Sequence, residues 1–250
     1  MASKNQFPTE TIDLPSGGTL YPKDSPMSSG QIEIKYMTAK EEDILTSQNL
    51  IKKGTAIDQL INSLIVTKGV NVDDLILGDK NAVMIAARIL AYGSEYNIEF
   101  TDPNSGEKIR HIFNLADCPF KQLAEDIDYS KNEFELKLPA SKSIIKYKLL
   151  TGKEETAIEK EIKGIERTGA QVTPQLTARL RNMIIAVDGE DNRNTVNNFV
   201  NNMLSKDSLV LRQEIARMSP DIILKQDVDI GGETVEIDIP LTVEFFWPTS

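Results

Sequence analysis

The residues best equipped for covalent chemistry are the single histidine, His111, and the single cysteine, Cys118. A thiol activated by an imidazole is a nucleophile, so a Cys/His hydrolase is the enzymatic reading of this pair. The local sequence argues for plainer roles. His111 lies in the alternating run Arg110-His111-Ile112-Phe113, where it reads as a strand residue, and Cys118 precedes Pro119. One cysteine excludes an internal disulfide, and one thiol with one imidazole falls short of a zinc, haem or iron-sulfur ligand set.

The carboxylates form two clusters. Glu41-Glu42-Asp43 lies in the opening turn of an expected helix, where negative charge complements the helix dipole. Asp188-Gly189-Glu190-Asp191 reads as a polar loop between helices and lacks the glutamate that closes a calcium loop. Gly78-Asp79-Lys80 does not have the spacing of a phosphate-cradling loop, and no dinucleotide fingerprint is present. No catalytic residue, metal site or cofactor is expected. Asn192, Asn194, Asn197, Asn198, Asn201 and Asn202 instead give one helix a face of side-chain amides suited to polar contacts with a partner.

Composition narrows the classes further. The chain has 250 residues, 40% hydrophobic and 26% charged, enough for a sizeable core in one large domain or two lobes, and two lobes are expected. A net charge of -10 argues against nucleic acid and against an anionic membrane surface, because both need a basic face. No apolar run approaches the roughly 20 residues of a membrane span, and Met1 to Ser16 has no signal-peptide core, so the chain reads as cytosolic.

Hydrophobic spacing and punctuation predict an α+β fold: a helical body with two or three β-hairpins, an extended Pro/Gly-rich N-terminal arm and a C-terminal hairpin. Pro8, Pro15, Pro22 and Pro26 keep residues 1–30 from forming a helix, although Leu14, Leu20 and Tyr21 are apolar anchors with which the arm can pack on its own body or a neighbour's. Residues 31–120 read as an α+β lobe. It has a strand over Gln31 to Tyr36, a helix opened by the capping box Thr38-Ala39-Lys40-Glu41 and running to Gly54, and a second helix capped by Thr55 and Asp58. A third helix follows over Lys80 to Tyr92, then a hairpin whose strands flank Asp102-Pro103-Asn104-Ser105-Gly106. Residues 121–204 hold a strand pair, Phe134 to Leu138 and Ile144 to Leu149, and a helical hairpin across Gly169 whose second helix runs from Thr173-Pro174 to Val187. A further helix covers Asn194 to Leu204. Residues 205–250 hold a terminal helix and a hairpin about Gly231-Gly232, so the helix-then-hairpin order of the first lobe is repeated at the end. The chain closes on Phe245, Phe246, Trp247 and Pro248, an apolar plug that needs a dock, either its own core or a partner.

Several stretches taken together resemble one family. They are Ile12-Asp13-Leu14-Pro15-Ser16-Gly17-Gly18 with Leu20-Tyr21-Pro22, Ile34 to Leu45, Ile51 to Thr55, Leu77-Gly78-Asp79-Lys80-Asn81-Ala82 with Ala86 to Leu90, and Phe245-Phe246-Trp247-Pro248. The chain resembles the baseplate hub and hub-assembly proteins of T-even-type contractile-tailed bacteriophages. The resemblance implies a non-enzymatic viral structural or assembly protein, placed in the virion tail baseplate and, during assembly, in the host cytoplasm. Its expected partners are other baseplate hub or wedge proteins, and a homo-oligomer is compatible with it. A transient hub-assembly chaperone, absent from the finished virion, is the alternative. The expected partner-binding residues are Leu14, Leu20, Tyr21, Phe245, Phe246 and Trp247. Some members carry Cys-x-x-Cys pairs at the hairpin turns; here the corresponding stretches read Asp102-Pro103-Asn104-Ser105 and Asp227-Val228-Asp229-Ile230, so zinc binding is not carried over.

Overall fold

A computed structural model describes residues 7–101, 106, 108–230, 232–239, 241 and 243–246. In chain order its strands are β1 (Thr9–Asp13), β2 (Gln31–Lys35), β3 (Glu95–Thr101), β4 (Lys108–Asn114), β5 (Phe134–Lys137), β6 (Ile144–Tyr147), β7 (Ile184–Val187), β8 (Lys225–Ile230) and β9 (Glu233–Asp238). The helices are α1 (Ala39–Thr46), α2 (Gln48–Lys53), α3 (Ala56–Leu64), α4 (Leu77–Tyr92), α5 (Gly152–Glu166), α6 (Gln175–Met183), α7 (Arg193–Asn201) and α8 (Ser205–Met218). The architecture is α+β. β1–β2, β3–β4 and β8–β9 are separate antiparallel ribbons, and β5–β6–β7 is the one three-stranded sheet among the described residues.

Local chemistry accounts for most of this. In β3 and β4 the pairs Tyr96–Phe113, Ile98–His111 and Phe100–Ile109 put the apolar side chains on one face, as period-2 alternation requires. In α3, Ala56, Leu60, Ile61 and Leu64 recur at helical spacing and all are buried. The capping box forms: the Glu41 carboxylate accepts the Thr38 amide at 3.0 Å and the Thr38 hydroxyl at 2.6 Å, and Lys35 Nζ donates to it at 2.7 Å. One cluster of buried side chains runs from Leu14 to Phe246 and draws on the stretches 1–30, 31–120, 121–204 and 205–250. Leu150, Ile158 and Ala178 form a small second cluster under α5 and α6.

The expected N-terminal arm packs on the chain's own body, one of the two docks allowed for it: β1 pairs with β2 in the register Ile12–Ile32, and Leu14 to Ser16 turn back onto the body. The tight return depends on Gly18 at φ +78°, where a Cβ would lie 2.4 Å from the Gly30 nitrogen. The structure corrects four other details. The helix expected from Thr38 to Gly54 is broken at Ser47, whose φ -66°, ψ 104° is extended, and becomes α1 and α2. Thr55 stands at the N-terminus of α3 without a side-chain capping bond, and Asp58 pairs with Lys80 instead. The helix expected to reach Val187 stops at Met183, and Ile184 to Val187 join β6 as the third strand. Asp227 to Ile230, read as a turn, are the second half of β8; Asp102 to Ser105 lie outside the described residues.

Candidate functional site

The motifs at residues 12–22 and 77–82, far apart in sequence, meet at the start of α4. Asp79 sits in the first turn of the helix, fully buried. Its Oδ1 accepts the Ser16 amide at 2.9 Å, and its Oδ2 accepts the Ser16 hydroxyl at 2.7 Å and the Tyr21 hydroxyl at 2.6 Å. Neither hydroxyl has freedom to turn. Ser16 Oγ accepts from the Gly18 amide at 3.1 Å and Tyr21 OH accepts from the Ile76 amide at 3.0 Å, so each proton points at the carboxylate. Burial pushes the Asp79 carboxyl above its ordinary range; the Ser16 and Tyr21 donors pull against it, and nearby Asp221 adds to the rise. Burial also pushes the Tyr21 phenol up, with the Asp79 charge reinforcing it.

The other residues of Leu77-Gly78-Asp79-Lys80-Asn81 are also accounted for. Gly78 lets α4 touch the chain after α8, where a Cβ would fall 1.8 Å from the Pro220 carbonyl oxygen. Lys80 pairs with Asp58 of α3. Asn81 donates to Asp221 at 3.0 Å.

At the other end of α4, Arg88 is buried and spends its fork on main-chain carbonyls. Nε donates to Phe245 O at 3.1 Å, Nη1 to Gly93 O at 3.0 Å and Nη2 to Glu95 O at 3.4 Å. The guanidinium carbon lies 5.1 Å from the centre of the Tyr92 ring and 5.9 Å from that of Tyr96, cation-π geometry. Tyr96 in turn meets Phe245 at 5.0 Å between ring centres, and Phe245 meets Phe246 edge-on at 5.5 Å.

Five of the six residues expected to bind a partner are therefore core. Leu14, Leu20, Tyr21, Phe245 and Phe246 are all buried in the chain itself, and Trp247 lies outside the described residues. The reason is the same at both ends: each terminus carries apolar anchors and each finds a polar clasp on α4, which sequence spacing alone does not reveal. The hydrolase pair fares no better. The His111 ring stacks edge-on against Phe113 at 4.7 Å, whereas the Cys118 thiol takes a hydrogen bond from Gln226 Nε2 at 3.5 Å. Burial pushes the thiol's pKa up, away from the thiolate a nucleophile needs.

Sequence reasoning overlooked the exposed apolar side chains. Val172, 77% exposed, and Leu176 flank the start of α6, and Leu204 and Leu209 flank the start of α8. Phe120 is exposed beside the short bridge it makes to Ile222. The amide-rich helix is α7, and Asn194, Asn198 and Asn201 on it, with Asn202 at its C-terminal cap, are exposed. A cleft of about 690 Å³ opens beside Tyr21, bordered by Pro22, Asp74, Lys131, Glu133, Lys153 and Glu154, with acidic and basic groups intermixed. Among the described residues no group of three or more His, Cys, Asp or Glu is arranged to hold a metal, and no helix is long and apolar enough to cross a membrane.

The family model described as T4 bacteriophage base plate protein matches residues 8–247, from the start of β1 to the aromatic end. The chain belongs to this family. No curated protein and no solved structure matches it. Membership in the base plate family makes it a phage baseplate component, with baseplate proteins as its contacts and a structural role. Of the stretches that resemble the family, Ile12 to Pro22, Leu77 to Ala82, Ala86 to Leu90 and Phe245-Phe246 supply the residues of the two clasps on α4.

Proposed function

We propose that the protein is a non-enzymatic structural component of the contractile-tail baseplate, building the central hub or its surroundings through contacts with hub or wedge proteins. The observation that carries this reading is the family match over residues 8–247. The placement at the hub is supported by the hub-like motifs Ile12 to Pro22 and Leu77 to Ala82. The contact surfaces are the exposed amides of α7 and the exposed apolar residues at the starts of α6 and α8, in place of the buried Leu14, Leu20, Tyr21, Phe245 and Phe246. Quantitative mass spectrometry of purified tails tests it: a fixed stoichiometry is expected, and affinity capture from infected cells should recover hub proteins. Recovery of wedge proteins alone would move the component away from the hub.

The second reading is a hub-assembly chaperone that leaves before the virion is complete. The net charge of -10, which keeps a free subunit soluble before it meets its partners, favours neither role over the other. Presence in assembly intermediates and absence from finished tails would decide for the chaperone.

A further inference from the structure

The main-chain bonds of the N-terminal ribbon leave one edge open. Leu14 N donates to Gly30 O at 2.8 Å and Tyr36 N to Pro8 O at 3.1 Å, and bonded pairs alternate along an antiparallel ladder, so Glu10 and Ile12 are the residues of β1 that bond β2. Thr9, Thr11 and Asp13 aim their N–H and C=O groups the other way. Among the described residues none of those groups has a hydrogen-bond partner, and Thr11 and Asp13 are exposed. The matching positions on β4, β8 and β9 carry Lys108 and Arg110, Asp227 and Asp229, and Glu236 and Asp238, charges that keep an open edge from pairing. β1 carries Thr9 and Thr11 there, residues that favour strands, with a charge only at its end, Asp13.

We propose that β1 pairs antiparallel with β1 of a second copy of this chain, on a two-fold axis through Thr11, making a four-stranded sheet in the order β2–β1–β1–β2. The register follows from the open groups. With Thr11 opposite Thr11, Thr9 lies opposite Asp13 of the second copy and Glu10 opposite its Ile12, so no carboxylates face each other and every outward residue exchanges bonds with another. One bonded step in one direction would set Glu10 against Glu10; one step in the other would bring Thr9 to Pro15, which has no N–H. The same register brings the two half-buried Ile12 side chains together diagonally on the core side of the sheet. Such self-complementarity is what a two-fold interface requires, and it favours a second copy over an unrelated strand. This proposal does not depend on placement at the hub.

Sedimentation equilibrium of the full chain tests the pairing. A dimer is expected at about 100 µM that dissociates on dilution to about 1 µM, since strand pairing adds little apolar burial. Residue-resolved hydrogen exchange should show the amides of Thr11 and Asp13 slowing about tenfold or more between those concentrations, whereas the Ile12 amide, bonded to β2, is slow at both. Thr11→Lys sets two ammonium groups against each other at the axis and should weaken association at least about tenfold. Thr11→Pro removes an outward N–H and no bond to β2, so it should keep its circular dichroism and stay monomeric. A monomer throughout the concentration range would overturn the proposal, as would a dimer that both variants leave unchanged. Protection of Thr11 and Asp13 that appears only in assembled tails would give the edge to another protein and also overturn it.

Discussion

Asp79 and Arg88 lie on the same face-to-core helix, α4, carry opposite charges, and are clasped to opposite ends of the chain. Asp79 holds Ser16 and Tyr21 near the N-terminus, and Arg88 holds the carbonyl of Phe245 near the C-terminus. At 1.5 Å per residue they are about 13 Å apart along the helix axis, so each charge is satisfied by its own set of hydrogen bonds.

The Asp79 clasp should be sensitive to loss of one acceptor. Asp79→Asn puts an NH2 group against donors that converge on two carboxylate oxygens, and it is expected to cost roughly 2–4 kcal/mol. Tyr21→Phe removes the proton given to Asp79 and the oxygen that receives the Ile76 amide, with an expected cost of about 1–2 kcal/mol. Urea denaturation midpoints of the two variants check both figures.

Two glycines in helices should respond in opposite directions. Gly78→Ala drives a methyl into the Pro220 carbonyl, where the nearest atom is main chain and cannot swing aside, so a loss of more than about 2 kcal/mol is expected. Gly164, exposed in α5, has nothing within 4 Å of an added Cβ, and Gly164→Ala should raise stability by about 0.5–1 kcal/mol. Thermal denaturation of the two variants, run side by side, reads the contrast.

Acid should weaken the fold through Glu41. Its burial favours the neutral acid, but the Lys35 and Thr38 hydrogen bonds outweigh that and bring its pKa down to about 2. A folded pKa below the unfolded one stabilises the protein above the unfolded value of about 4.3, and that contribution disappears as pH falls toward 2. Glu41→Gln should therefore flatten the stability curve between those limits. Asp79 has the opposite sign: its raised pKa favours folding most at low pH, and the contribution is lost as pH rises through the folded value. Measuring stability against pH for the parent and Glu41→Gln separates the two.

Cys118 should be a slow thiol. Burial raises its pKa, so iodoacetamide at pH 8 is expected to alkylate it several-fold more slowly than it does a cysteine in an unstructured peptide. Timed mass spectrometry of the intact chain gives the rate. Alkylation faster than the peptide would restore a reactive role for the residue.

What could be read from residues alone was what local physics controls. The Thr38–Glu41 box and the alternation of β3 and β4 need no knowledge of distant contacts, and both appear as expected. β1 was not legible because Thr9-Glu10-Thr11-Ile12-Asp13 has one apolar residue, and its strand state comes from pairing with β2. Ile184 to Val187 fit a helical stripe as well as a strand, and β6 decides between them. The clasps were the least legible. Asp79 reads locally as an ordinary first-turn acid, whereas its partners lie 58 and 63 positions upstream. Arg88 meets Phe245 157 positions downstream.

Gly78 against Pro220, with Asn81 bonded to Asp221 at a separation of 140 positions, also sets a timetable for synthesis. The start of α4 leaves the ribosome after Ser16 and Tyr21, which bond Asp79, but long before Pro220 and Asp221, so the side that carries Gly78 and Asn81 lacks these neighbours until α8 has been made. Contacts of such long range slow folding and leave apolar surface open while the chain is incomplete. In a host cell making many copies at once, the nascent first half of this protein is the stage most exposed to chaperones and to misassociation.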